Sequence, residues 1–206
     1  MQKFWTLLLA LTITLTGFSQ RKSKDDAPAW TTANTSAFKF RDIGPATTSG
    51  RIADLAVNPE NKAEMYLALA SGGVWKTSNN GTTWQPIFEH ENSYSTGCIE
   101  IDPNNTNTIW VGTGENNNQR SVAYGDGVYV SRDGGKSWTN TGLESSEHIG
   151  MIAIDPRNSD HVYVAAYGPL WNKGGERGIY ETKDGGKNWT LILEVSEHTG
   201  FNEVHM

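Results

Sequence analysis

The sequence predicts an all-β chain assembled from one repeated four-stranded antiparallel unit, and three recurring elements carry that reading. The first is an eight-residue pattern that occurs three times: Thr77-x-Asn79-x-Gly81-x-Thr83-Trp84, Ser131-x-Asp133-x-Gly135-x-Ser137-Trp138 and Thr182-x-Asp184-x-Gly186-x-Asn188-Trp189, with the tryptophans 54 and 51 residues apart. The second is an Asx-Pro turn at Asn58-Pro59, Asp102-Pro103 and Asp155-Pro156, each preceded by Val or Ile. The third is a glycine that starts an apolar run: Gly50, Gly97, Gly150 and Gly200. Four strands in a period of about 50 residues match the blade of a β-propeller. The expectation is about three blades plus the first strand of a fourth, as the N-terminal fragment of a larger propeller.

Along the chain, residues 1–19 read as a signal peptide. Lys3 is a one-charge start, residues 7–16 are apolar, and Gly17-Phe18-Ser19 is a small-x-small cleavage site. The alternative is a membrane anchor, but the apolar run is too short to span a bilayer. Residues 20–36 are a polar linker, and 37–206 form the partial propeller. Phe38-Lys39-Phe40-Arg41 reads as a strand that could close the ring as the outer strand of the last blade. Blades are placed at about 50–89, 97–142 and 150–194, with a fourth beginning at about 200. Within each, a first strand runs from the glycine to the Asx-Pro turn, where Pro presets the second turn position. A second strand follows, a third precedes the eight-residue pattern, and the fourth begins at its Trp.

The pattern itself has a structural chemistry. A polar, glycine-bearing turn between two apolar runs makes a hairpin. The glycine takes positive φ, while the Asp or Asn and the Ser or Thr hydroxyl hydrogen-bond turn amides. The Trp offers a large apolar body to wedge between sheets. Thr77, Asn79, Gly81, Trp84, Ser131, Asp133, Gly135, Trp138, Thr182, Asp184, Gly186 and Trp189 are thus read as fold-shaping residues.

Composition excludes several classes of function. The formal charge is −6, and the one basic cluster is Arg21-Lys22-Lys24, so nucleic acid is a poor partner. A single cysteine, Cys98, rules out an internal disulfide and reads as a small buried hydrophobe. No cofactor and no metal is expected. The localisation is secreted or periplasmic, without membrane insertion after signal cleavage.

In a meander, successive turns alternate between the two ends of a blade. The Asx-Pro turns and the eight-residue patterns then share one face, which is structural. The loops joining the second strand to the third, and one blade to the next, share the other, where function tends to sit. The second blade's loop carries Glu115, Asn116, Asn117, Gln119, Arg120 and Tyr124. The third carries Tyr167, Trp171, Glu176 and Arg177. These residues can grip a glycan or a peptide; the alternative is a solvated loop in which Glu115 and Arg120 pair locally. Arg51, at the start of the first inner strand, either binds a carboxylate or bridges to Asp54 or a neighbouring acid. Ser146-Glu147-His148 and Ser196-Glu197-His198 occupy echoing positions between blades.

The eight-residue pattern matches the Asp-box (BNR) repeat, with Asn79 in place of Asp and Asn188 in place of Thr or Ser. The segments Ser49-Gly50-Arg51-Ile52, Gly72-Gly73-Val74-Trp75-Lys76-Thr77 and Gly112-Thr113-Gly114-Glu115 make the chain resemble the sortilin N-terminal-like propellers, including secreted bacterial members labelled glycosyl hydrolases. The resemblance implies a secreted module that binds or scaffolds an extracellular or periplasmic protein, peptide or glycan. The competing implication is a glycoside hydrolase of the sialidase or xyloglucanase type. Xyloglucanase-type enzymes carry an Asp two positions before Gly-Gly on the first blade, where this chain has Ala70. Sialidases need an arginine triad and a Tyr-Glu pair, and Arg51 lacks their Arg-Ile-Pro context. No catalytic carboxylate pair is nominated, and catalytic groups of an enzyme would lie partly beyond residue 206.

Overall fold

A computed structural model describes residues 50–116 and 122–206. The expected signal peptide, the linker, the strand at 38–41 and the loop residues Asn117, Gln119 and Arg120 lie outside the described residues. Those described form three four-stranded antiparallel sheets, each in sequential order. The first contains β1 (Ile52–Val57), β2 (Met65–Leu69), β3 (Gly73–Thr77) and β4 (Gln85–Pro86). The second contains β5 (Thr96–Ile101), β6 (Ile109–Thr113), β7 (Val128–Ser131) and β8 (Thr139–Gly142). The third contains β9 (Ile149–Asp155), β10 (Asn158–Ala166), β11 (Gly178–Thr182) and β12 (Thr190–Leu193).

The period-2 geometry of a strand explains the core. Along β6, Ile109 and Val111 point into one cluster with Tyr66, Ala68, Val74 and Ile99, between the first and second sheets. Trp110, between them in sequence, points the other way and packs with Val130, Ile152, Val162 and Val164 of the second and third sheets. The middle sheet is therefore apolar on both faces, and β6 is buried at every position. Each such aliphatic side chain contributes about 1.5–3 kcal/mol by leaving water.

Strand register corrects one element of the expected repeat. In the first strand of each sheet one residue bulges out of the pairing: Ala53, Gly97 and Gly150. Gly97 and Gly150 are thus equivalent to Ala53 and not to Gly50, which precedes β1. Cys98 and Met151 do share a register position, and Cys98 is buried, with its thiol pushed up chiefly by burial.

The three eight-residue turns are built alike. The hydroxyl of Thr77, Ser131 or Thr182 donates to the third-position side chain at 2.8–2.9 Å and accepts from the glycine N–H at 2.8–3.0 Å. The same oxygen of Asn79, Asp133 or Asp184 accepts the N–H of Thr83, Ser137 or Asn188, each at 2.9 Å. Gly81, Gly135 and Gly186 stand at φ of 79°, 86° and 89°, which a side chain would strain. Asn188 first, with Thr182, holds the Asp184 carboxyl down to about 2. Asn79 serves as well as Asp because the turn uses one acceptor oxygen; its amide donates to Thr83 Oγ1 at 2.9 Å.

Each turn bonds to the segment just after the Asx-Pro turn of its own sheet: Asn80 N–H to Ala63 O, Gly134 N–H to Asn107 O and Gly185 N–H to Asp160 O at the start of β10. The eight-residue turns and the Asx-Pro turns therefore lie on one face. The tryptophans then reach back. Trp138 Nε1 donates to Ile87 O at 2.7 Å, and Trp189 Nε1 donates to Thr141 O at 2.9 Å, each joining the preceding sheet. Trp138 stands edge-on to Phe88, and Trp189 edge-on to Trp110.

A cross-strand pair near this face differs from sheet to sheet. In the first sheet, Lys76 Nζ lies 3.1 Å from Glu64 Oε2. At the equivalent positions of the second stand Thr108 and Val130, and in the third His161 Nε2 lies 2.7 Å from Glu181 Oε1.

Trp189→Ala should lower unfolding free energy by about 3 kcal/mol. Trp189→Phe, which keeps the ring and loses the N–H, should cost about 1 kcal/mol. Urea unfolding of the full chain followed by far-UV circular dichroism measures both; an unchanged stability in Trp189→Phe would mean that the indole N–H contributes nothing.

Candidate functional site

The loops opposite the structural turns form one hydrogen-bonded collar. Gly72 and Gly73 N–H donate to Tyr94 O, and Gly114 N–H donates to Ser95 O. Ser95 Oγ donates to Ala123 O at 3.1 Å. Gly125 N–H then donates to Glu147 O at 2.8 Å, and Tyr167 N–H to His148 O at 3.0 Å. Glu176 N–H donates to Ser145 O and Gly174 N–H to Glu197 O. The inner loops of the second and third sheets are each tied to the connections on either side, and that of the first to the connection that follows it. Gly114 stands at φ 83°, and a Cβ there would lie 1.9 Å from Glu147 O, so only glycine permits this approach.

Several residues singled out from sequence turn out to brace the collar. Arg177 is buried and spends its guanidinium on backbone carbonyls: Nε on Gly174 O and Nη1 on Tyr167 O, both at 2.8 Å, and Nη2 on Asn172 O and Pro169 O. It clamps the 167–177 loop and is no free anion-binding group. The Glu176 carboxylate accepts from Ser145 N–H and Oγ, both at 2.9 Å. Asn116 Nδ2 spans Gly97 O at 3.0 Å and Gly150 O at 3.1 Å, and Tyr167 OH donates to Asn116 O. Arg51 pairs with Glu115, which is 1% exposed, and not with Asp54. The Asp54 carboxylate instead accepts from Leu55 and Ile99 N–H.

Among the side chains the collar leaves exposed are three large aromatics. Tyr94, Tyr124 and Trp171 are 64%, 57% and 66% exposed, one beside each sheet. Beneath Trp171 lies a depression of about 700 Å³ lined by Tyr167, Leu170, Lys173 and His198. Tyr94 carries no signal of its own in a short polar connection; the alternation of turns is what places that connection on the same face as the long inner loops.

Carboxylates approach one another at two places. On the collar's outer side, Asp126 accepts from Tyr129 OH at 2.6 Å and from Thr113 Oγ1 at 3.3 Å. Glu91 is raised chiefly by burial, against a lowering by His90, with a smaller push up from Asp126. On the inner strands, Glu100 is pushed up to about 7 by burial, then by Asp54. Ala70, where an acid is expected in xyloglucanase-type enzymes, is fully buried, with its N–H on Arg51 O at 2.9 Å. The two echoing histidines differ: His148 is fully buried, whereas His198 is exposed beside Glu197. Among the described residues, no group of three His, Cys, Asp or Glu is placed to hold a metal.

No protein-family model matches the chain. It is 28% identical over 159 residues to a probable oligoxyloglucan-reducing end-specific xyloglucanase of Neosartorya fischeri, covering 67% of this chain and 17% of that protein. It is 30% identical over 137 residues to the oligoxyloglucan-reducing end-specific xyloglucanase of Emericella nidulans, covering 64% and 16%. Among solved structures, an ancestral GH74 enzyme superposes with a TM-score of 0.56 at 24% identity, over 71% of this chain and 19% of that one. The chain thus spans about a sixth of these relatives. With three four-stranded sheets in sequence, the likeness shows a β-propeller architecture resembling glycoside-hydrolase propellers.

Replacing Arg177 tests the clamp. Arg177→Ala leaves four carbonyls without their donor and should cost about 3 kcal/mol. Arg177→Lys should not rescue it, since an ammonium lacks the planar fork. Limited proteolysis should then cut within 167–177, and a loop that stays resistant contradicts the role.

Proposed function

We propose that the chain is part of a secreted Asp-box propeller of the glycoside-hydrolase type, and that its described blades bind a polysaccharide on the loop face. The observation that carries the reading is the set of three exposed aromatics, Tyr94, Tyr124 and Trp171, on a collar whose backbone groups are hydrogen-bonded to one another. Flat aromatic faces suit the apolar faces of sugar rings. A platform held rigid before binding loses little entropy when the ligand arrives. The xyloglucanase relatives favour a β-glucan chain as that ligand.

These blades supply binding and leave the acid–base chemistry elsewhere. Glycosidases of this kind need two carboxylates free to act across one bond. Ala70 occupies the position of one, Glu115 is held by Arg51, Asp126 is held by Tyr129 and Thr113, and Asp54, the neighbour of Glu100, is held by the N–H groups of Leu55 and Ile99.

Tryptophan fluorescence titration with xyloglucan oligosaccharides should show saturable binding. Trp171→Ala should weaken it about fivefold, the equivalent of about 1 kcal/mol of stacking. Tyr124→Ala should act in the same direction. Binding unaffected by both variants contradicts the loop-face site, and release of reducing ends by this chain alone contradicts the division between binding and chemistry.

A further inference from the structure

His148 is the least accommodated polar side chain of the loop face. It is fully buried, and neither ring nitrogen has a hydrogen-bond partner among the described residues. Its ring lies against Tyr124, with centroids 5.9 Å apart and planes at 55°. A neutral imidazole tolerates such a place at some cost. A protonated one would bury a charge and two N–H donors with nothing to accept them. Burial alone pushes its pKa down to about 4.

The titratable groups on the elements packed around it do not offset this. They are Tyr124 and Asp126 on the 122–126 loop, Glu115 after β6, Glu147 beside it in the chain, and Tyr167, Lys173, Glu176 and Arg177 on the 167–177 loop, where Glu176 is taken by Ser145, Lys173 by Glu197 and Arg177 by backbone carbonyls. Glu115 is taken by Arg51, and Asp126 by Tyr129 and Thr113. None of these forms a hydrogen bond with the imidazole.

The residue also occupies the middle link of the collar. Its carbonyl accepts from Tyr167 N–H at 3.0 Å and from Ser146 Oγ at 2.8 Å, and the adjacent Glu147 O accepts from Gly125 N–H at 2.8 Å. Glu147 itself stands at φ 64°, a left-handed conformation that a non-glycine residue keeps only while its surroundings hold it. Releasing the imidazole thus relaxes the backbone through which the loops of the second and third sheets are joined.

We propose that His148 is a proton-operated latch: its protonation drives the ring out from under Tyr124, parts the collar between the second and third sheets, and withdraws Tyr124 from the glycan-binding surface at acidic pH. The last step rests on the polysaccharide reading given above; the opening itself does not.

The sign follows from the two states. Closed, the imidazole takes its proton near pH 4; open and in water, near its ordinary 6.5. The open form therefore binds more protons between these values, so closure is fully favoured above pH 6.5 and is lost progressively as pH falls towards 4. From pH 7.5 to pH 5 the ratio of open to closed rises about 30-fold.

Hydrogen exchange of the Gly125 and Tyr167 amides, corrected for intrinsic pH dependence, reads this directly on the full chain. Protection should drop about 30-fold over that range in the wild type and stay flat in His148→Phe. A flat wild-type profile, or the same drop in the variant, overturns the latch. Should His148→Phe fail to fold, the wild-type imidazole can be titrated by NMR: a midpoint well below 6 supports the proposal, and one near 6.5 overturns it. Xyloglucan oligosaccharide affinity, measured in parallel, should fall with the same pH profile. Absence of binding at pH 7.5 overturns the polysaccharide reading while leaving the exchange result to decide the latch.

Discussion

An indole N–H donated to a backbone carbonyl of the preceding sheet is the contact on which this architecture turns. A sheet apolar on both faces must be packed on both, yet apolar packing has no direction of its own. The bonds from Trp138 to Ile87 O and from Trp189 to Thr141 O supply one. Everything in the eight-residue turn serves to aim that indole. The hydroxyl fixes the carboxylate or amide, that group fixes the amides before the Trp, and the glycine lets the chain reverse. Basic side chains add a second tie in the opposite sense, with Lys76 on Gly134 O and Arg132 on Gly185 O reaching forward from the first and second sheets to the next eight-residue turn.

With the structural face so firmly specified, the opposite face is free to vary, and it does. The first sheet's inner loop is a few residues long, whereas that of the third extends far enough to need a buried guanidinium inside it. The collar shows how such loops stay ordered without regular structure: they satisfy their backbone groups on one another. Large aromatic side chains are then among the groups left exposed, and a surface that carries them suits a ligand with flat apolar faces and many hydroxyls.

The fold was legible because the features that set it are local. A turn that needs a hydroxyl, an acceptor and a glycine at fixed offsets writes those residues into the sequence, and three phased copies give the period. The loop face was legible only in outline. Trp171 stood out as an aromatic in a long polar loop, but nothing local separates it from Arg177, six residues on, which is buried. Whether a charged residue reaches solvent or clamps carbonyls depends on the path of the loop around it. The same holds for His148 and His198, identical in local context and opposite in burial. Gly50 misled for a related reason: it starts an apolar run as Gly97 and Gly150 do, but the bulge that defines their position depends on pairing with the next strand.

Near-identical repeats in one chain carry a hazard: a strand from one unit can pair with the partner meant for another, since the backbone fits equally well. The cross-strand pairs on the structural face oppose that error. If β2 took β11 as its neighbour in the native register, Glu64 would meet Glu181, one carboxylate against another. If β10 took β3, His161 would meet Lys76. The middle sheet, with Thr108 and Val130, offers neither charge a partner. Each sheet thus bears its own electrostatic address, and a nascent strand is directed to its own unit at the stage of folding when mistaken pairing would be hardest to undo.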